Sequence, residues 1–440
     1  MRWVEQYREK VRTAEEAVRI IKSGDRVHIH NGNSEPEALV KALVARAPEL
    51  QDVELVHMAT MGSADYTRPE YAGHLHATAL FIGGNVRRAV QEGRVAYIPI
   101  FLSEIEGLFR SGAMPLDVTL LQCSRPDDYG FMSLCTGPDI ALTTAQVARH
   151  VIVEVNDQSP RIHGDAFLHV SKADAIVEAS HPLAEYHSHE ITDVHTAIAR
   201  HVANLIPDGA TVQTGIGGIP EAVLIALKDH SDIGVHSEMV PDRVVDLIQS
   251  GVITNDRKTL HPHKIVCGFL LGSKRLFDFV DDNPIFEFHP TAYVNDPFVI
   301  AQNERMVAVN SALEIDLTGQ VCADSVGHVP ISGFGGQVDF IRGAARAKGG
   351  IPIIALPSTA KDGSISRIVP SLKPGAGVVT SRADVRYVVT EFGVAYIHGK
   401  TLRQRAEALI QIAHPRFRDE LLAEAGRLGY LERKSAPVAV

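Results

Sequence analysis

The chain is predicted to be an α/β protein made of two related open halves, with its active site where they meet. Three observations lead there. Pro36–Leu43 (PEALVKAL) and Pro220–Leu227 (PEAVLIAL) match at an offset of 184 residues, 220 − 36. Each copy follows a short strand-like run and a glycine-bearing turn, and each precedes a strand ending in Val-His, Val56-His57 or Val235-His236. Strand, turn, helix, strand is the unit of a parallel sheet with helical crossovers. The 440 residues are 45% hydrophobic and 22% charged, ordinary globular composition with enough apolar content for large cores. A repeat of this size argues for paired halves rather than a solenoid.

In chain order, the charged amphipathic N-terminal segment reads as a helix that continues over Ala14–Lys22 and stops at Ser23-Gly24-Asp25. It lacks the apolar centre of a signal peptide, so a cytoplasmic protein is expected. Arg26–His30 is a strand, Asn31-Gly32-Asn33-Ser34 a turn, Pro36–Leu43 the start of a helix and Val53–His57 a strand. The polar stretch Ala184–Ile191 separates a first half, 1–187, from a second, 188–440. The second half opens with an amphipathic helix, Asp193–Ile206, then a strand at Ala210–Gln213. Three glycines in Thr214–Gly218 end that strand and allow a ligand close to the backbone. Pro220 suits the first helical position, and the helix start presents free N–H groups to an anion.

The next strand is expected to end near His236, leaving Ser237 and Glu238 in the strand-end crevice where open α/β sheets bind ligands. Aligning His57 with His236 sets Ala59 against Glu238, so only the second half carries an acid there. Asp242–Ser250 and Leu402–Ala413 read as helices, and Lys264–Leu270, Gly350–Leu356 and Val385–Thr390 as strands. Ile331–Asp339 (ISGFGGQVD) is a second glycine-rich segment.

Several chemistries lose ground. A net charge of −10 argues against a general nucleic-acid surface, and no run approaches the ~18 apolar residues of a membrane span. Four scattered cysteines read as reduced core residues. The pairs His28/His30, His74/His76, His187/His189 and His261/His263 have no acidic partner at a ligand spacing, so no metal is expected. The GIGG turn lacks the sixth-position glycine and distant acid of a dinucleotide site, and the Gly-Lys-Ser/Thr ending of a P-loop. What remains is a carboxylate beside two loops rich in backbone N–H groups, a pairing suited to attack on a thioester with a stabilised oxyanion.

The sequence resembles the class I CoA-transferases, in the acetyl-CoA hydrolase/transferase branch that holds 4-hydroxybutyrate and butyryl-CoA:acetate CoA-transferases. The likeness rests on GIGGIPEAV at Gly215–Val223, GVHSEMVPDRVVDLIQSGVIT at Gly234–Thr254, YVNDPFVIAQN at Tyr293–Asn303 and NSALEIDLTGQV at Asn310–Val321. SGFGGQVDFIRGA at Ser332–Ala344 and STAKDGSISRIVP at Ser358–Pro370 extend it. The resemblance implies that Glu238 is the nucleophile that becomes a glutamyl-CoA thioester. It implies a CoA-binding turn at Gly215, Ile216, Gly217, Gly218 and Ile219, with Gly335 and Gly336 supplying an oxyanion N–H and a CoA contact. By the same motifs Asn295 stands near the reacting carbonyl, and Leu313 and Lys361 line the CoA site.

Coenzyme A is then substrate and covalent intermediate, with no permanently bound cofactor. Acetate, butyrate or 4-hydroxybutyrate fit as acids, their pocket lined from the first half by Asn31, His57, Met58 and Glu104. A homodimer or larger homo-oligomer is expected. Competing readings are an acyl-CoA hydrolase on the same scaffold, and a sugar-phosphate isomerase or ligand sensor on a similar core.

Overall fold

Two twisted sheets carry the chain, and their strand orders coincide. A computed structural model describes residues 2–187 and 190–431. The first sheet holds β1 (Arg26–Ile29), β2 (Val53–His57), β3 (Leu75–Ala79), β4 (Val95–Tyr97), β5 (Val118–Cys123), β6 (His150–Asn156) and β7 (Ala175–Ala179), in the order β4-β3-β2-β1-β5-β6-β7. The second holds β8 (Thr211–Gln213), β9 (Gly234–Val240), β10 (Ile265–Leu270), β11 (Phe286–Phe288), β12 (Met306–Ser311), β13 (Ile351–Ala355), β14 (Tyr387–Thr390) and β15 (Gly393–Tyr396). Its order is β11-β10-β9-β8-β12-β13-β14-β15, the first seven positions repeating the first sheet. Only β14 and β15 pair antiparallel; the other neighbours within these two sheets are parallel.

Register confirms the repeat residue by residue. Val27 pairs with Leu55, and Thr211, 184 positions later, pairs with Gly234. Two residues on from each partner lie His57 and His236, and two further lie Ala59 and Glu238. The equivalent helices are α1 (Glu37–Ala45) and α3 (Gly218–Ala226), with α2 (Asp193–Ala203) packed beside the latter. Leu39 and Leu43 of α1 and Val223 and Leu224 of α3 are buried against their sheets, as the apolar spacing requires.

Several boundaries differ from the sequence expectation. The N-terminal helix is broken: Arg2–Lys10 ends, Val11 bridges to Ile176, and Thr13 caps a new turn at Ala14–Ala17. Capping and a sheet contact there outweigh helix propensity. Helix α3 begins at Gly218, not Pro220, which costs nothing because the first turn's N–H groups lack partners anyway. Strand β9 runs on to Val240 rather than ending near His236, because β10 continues to pair with it. Residue 188 of the half boundary expected at 187/188, and His189, lie outside the described residues. All four cysteines are free and buried, and no helix among the described residues is long and apolar enough to cross a membrane.

The halves meet backbone to backbone. Leu270 N–H donates to Thr136 O at 2.8 Å and Thr291 N–H to Asp139 O at 2.9 Å. Gly164 bridges Phe288. Gly137 lies so close to Gly268 that a Cβ would overlap the Gly268 carbonyl.

Candidate active site

Glu238 stands where β9 loses one neighbour and keeps the other. Strand β8 pairs with β9 only at Gly234 and Val235, then leaves through the glycine turn. Ser237 closes that fork, its hydroxyl donating to Thr214 O at 2.9 Å and accepting from Thr214 N–H at 3.3 Å. On the other side Ser237 pairs with Cys267 and Met239 with Phe269, which fixes the backbone on both sides of Glu238.

The carboxylate is met by two donors. Asn295 Nδ2 donates to Glu238 Oε2 at 3.0 Å, and the Gly336 N–H also reaches the carboxylate. Asn295 is fully buried and follows the short helix α4 (Thr291–Val294). Gly336 precedes helix α5 (Gln337–Arg346), so this donor sits at a helix N-terminus. A Cβ on Gly336 would overlap both Glu238 Oε2 and Asn295 Nδ2, so only glycine lets the loop come this close. Gly335, at φ +53°, turns the chain into that position.

The first half holds this loop in place. Leu102 N–H donates to Gly335 O at 3.1 Å, Arg87 Nε to Ile331 O at 2.7 Å, and Phe101 packs edge-on against Phe334. Ser103 gives Asp339, on α5, both its N–H at 3.2 Å and its hydroxyl at 2.8 Å. Glu106 Oε1 accepts the Ala292 N–H of α4 at 2.7 Å. Glu238 is therefore set by one half and enclosed by both.

Burial pushes the Glu238 carboxyl up to about 7; nearby Asp339 adds to the rise, while Asn295 and the Gly336 N–H oppose it. Burial likewise lifts Asp339 to about 6, against hydrogen bonds from Ser103 and Asn295. The Asn295 amide thus serves two carboxylates. If Glu238 is the nucleophile that the sequence resemblance implies, it must be ionised to attack, and kcat/KM for acyl-CoA is then expected to rise with pH through an apparent pKa near 7. A flat profile from pH 5.5 to 8.5 would contradict this assignment. Removing the amide in Asn295→Ala is expected to lower kcat about 10²–10³-fold, the usual loss for one oxyanion-type donor, and to move that apparent pKa upward. Unchanged kcat with intact folding would remove Asn295 from the site.

The structure brings Glu238, Asn295, Gly335 and Gly336 together. Gly215, Ile216, Gly217 and Gly218 form the open turn at the β8–α3 junction, Gly217 at φ +100°. The Ile219 side chain is core, which leaves its backbone to face the turn. Leu313 is half-buried just past β12, its N–H on Cys322 O at 2.9 Å. Gln337 ties α5 to the same region through Ser311 O at 2.8 Å. Lys361 sits apart at the exposed tip of a two-stranded hairpin, Thr359–Ala360 with Ile365–Ser366.

Asn31, His57 and Met58 are buried together, Asn31 Oδ1 accepting the Met58 N–H at 2.7 Å. Glu104 is exposed and acts on the site through its charge at Asp339. Sequence reasoning missed Ser103 and Asp339, although Asp339 lies inside the GFGGQVD segment. It also missed Arg367, whose charge is felt by His195, itself against Gly218. Arg367 Nη1 donates to Ala312 O at 3.3 Å, and its buried Nε has no hydrogen-bond partner among the described residues.

The chain belongs to the acetyl-CoA hydrolase/transferase family: residues 1–184 match its N-terminal domain and residues 272–425 its C-terminal domain. It is 51% identical, over 96% of its length and 99% of the relative's, to a 4-hydroxybutyrate coenzyme A transferase of Clostridium kluyveri. It is 48% identical, over 92% of its length and 86% of the relative's, to a succinyl-CoA:acetate/propanoyl-CoA:succinate CoA transferase of Fasciola hepatica. The crystal structure of a 4-hydroxybutyrate CoA-transferase from Porphyromonas gingivalis superposes with a TM-score of 0.84 at 42% identity, covering 97% of this chain and all of that one.

Proposed function

We propose that the protein is a CoA-transferase that moves CoA between a short-chain acyl-CoA and a free carboxylate by way of a thioester on Glu238. Its family and the names of its relatives support CoA transfer. The observation that carries the mechanism is that both fixed donors, Asn295 Nδ2 and the Gly336 N–H, aim at Glu238's own carboxyl oxygens.

The ionised carboxylate attacks the acyl-CoA carbonyl, and the C–S bond breaks to give an acyl-glutamyl anhydride and CoA thiolate. The thiolate then attacks the glutamyl carbonyl, and the C–O bond breaks to release the free acid and leave glutamyl-CoA. A second acid reverses the two steps and departs as its CoA ester. In the thiolate attack negative charge develops on an oxygen of Glu238 itself, where the amide and the glycine N–H already point. Such pre-aimed donors stabilise the transition state without reorganising.

The glycine turn at Gly215–Ile219 is placed to receive CoA, with Leu313 along its path and Lys361 able to meet it from the hairpin tip. Arg367, near His195 and the α3 N-terminus, offers a half-buried cation to a negative part of the cofactor. Arg367→Ala is expected to raise KM for acyl-CoA at least about tenfold with kcat within a few-fold, the pattern of lost uniform binding. An unchanged KM would place Arg367 outside the CoA site.

Acetate with butyryl- or 4-hydroxybutyryl-CoA are the acids proposed, in a cytoplasmic homo-oligomer whose halves divide near 187/188. Free CoA release with and without acetate tests the reading against a hydrolase. Transfer predicts acetyl-CoA formation that depends on acetate and little free CoA. Steady CoA release independent of acetate would favour hydrolysis.

A further inference from the structure

At the edge of the second sheet the fold assembles a donor set that CoA transfer does not use. Phe286 and Phe288 of edge strand β11 are fully buried, so Glu287 between them and His289 beyond share the opposite face. The loop before β10 brings His261 against them, in left-handed backbone at φ +49°. Glu287 Oε1 lies 3.1 Å from His261 Nδ1 and 2.9 Å from His289 Nε2. One ligand atom from each residue falls within 4.8 Å of the other two. His261 Nε2 meets the Tyr293 hydroxyl at 2.7 Å.

We propose that His261, Glu287 and His289 bind a divalent transition-metal ion of the zinc type. Two imidazoles and a carboxylate are donors that zinc takes, and bonds of ~2.0–2.2 Å set tetrahedral ligands roughly 3.3 Å apart. The 3.1 and 2.9 Å separations lie a few tenths of an ångström inside that value, and the two imidazole nitrogens lie within 4.8 Å of each other, so small side-chain shifts would open the set around an ion. Tyr293 holds the second nitrogen of His261, as outer partners hold metal-bound imidazoles. In the tautomer whose Nε2–H donates to the Tyr293 hydroxyl, the Nδ1 lone pair faces Glu287 and is free to take a metal ion.

All three residues are half-buried, which leaves an entry path and room for water as a fourth ligand. Pro262 and Pro290 follow the two histidines and stiffen their backbone. The charge of Glu287 is also felt by the buried Lys258, but the Lys258 ammonium is bound by the Val235 and Lys264 carbonyls at 2.8 and 2.7 Å. Sequence spacing hid the site because its acid lies 26 residues from His261, 287 − 261, and only the β10–β11 pairing joins them. Tyr293 lies on α4, directly before Val294 and Asn295, so an ion here would clamp the segment that carries the Asn295 amide.

The test uses untagged full-length protein, stripped with a chelator and titrated with Zn²⁺ by calorimetry, with thermal unfolding and the visible spectrum of the Co²⁺ form alongside. About one equivalent of Zn²⁺ is expected, with a raised unfolding midpoint and a Co²⁺ ligand-field band. Glu287→Gln and His289→Ala are expected to weaken binding at least about tenfold. His263→Ala should bind as wild type, because His263 pairs with Asp256 at 3.1 Å instead. Glu287→Gln keeps the side-chain shape and decides the matter if His289→Ala fails to fold. No saturable binding to wild type, or equal binding to wild type and Glu287→Gln, would overturn the proposal.

Discussion

Glu238→Gln is expected to abolish CoA transfer, lowering kcat by about 10⁴-fold or more, because the amide cannot form the anhydride or the glutamyl thioester. The same variant should be the more stable protein at alkaline pH. The folded carboxyl titrates near 7 rather than at its ordinary 4.5. Protonated Glu238 is tolerated by its buried site, so the wild type loses stability as pH rises from about 4.5 to 7, and glutamine does not. Thermal midpoints are expected to coincide at pH 4 and to favour Glu238→Gln at pH 8. An active glutamine variant, or one destabilised at pH 8, would remove the buried nucleophile from the account.

Gly336→Ala is expected to be nearly as severe from a single methyl group. That Cβ would overlap the Glu238 carboxylate and the Asn295 amide together, so either these two groups or α5's first turn must shift. Displacement by about 1 Å costs roughly 10²-fold in catalysis, and here two donors are displaced at once. The methyl meets the ends of two polar side chains rather than backbone or the hydrophobic core, so the protein should stay folded, and circular dichroism with acyl-CoA turnover separates the two effects. A near wild-type rate would show that the loop is free to stand off from Glu238.

The repeat was legible because PEALVKAL and PEAVLIAL sit on equivalent helices, and hydrophobic periodicity survives wherever a helix must cover a sheet. It led to the two-sheet fold and set Glu238 against Ala59. The strands β3, β5, β6 and β7 did not stand out: buried on both faces, runs such as Val118–Cys123 show no alternation to distinguish them from helix. Motifs brought out Glu238, Asn295 and Gly336, whose geometry is local to the second half. Ser103 and Glu106 were illegible because they reach the site only when the halves dock. The His261–Glu287–His289 group escaped for a different reason: parallel pairing within the second sheet joins residues far apart in sequence.

The most direct test is the intact mass of the protein after incubation with butyryl-CoA and no acceptor acid, with Glu238→Gln treated alike. The account predicts a CoA-sized addition on the wild type, absent from the variant and discharged by acetate as acetyl-CoA. No addition to the wild type while acetyl-CoA still forms, or an addition that persists in the variant, would contradict a thioester on Glu238.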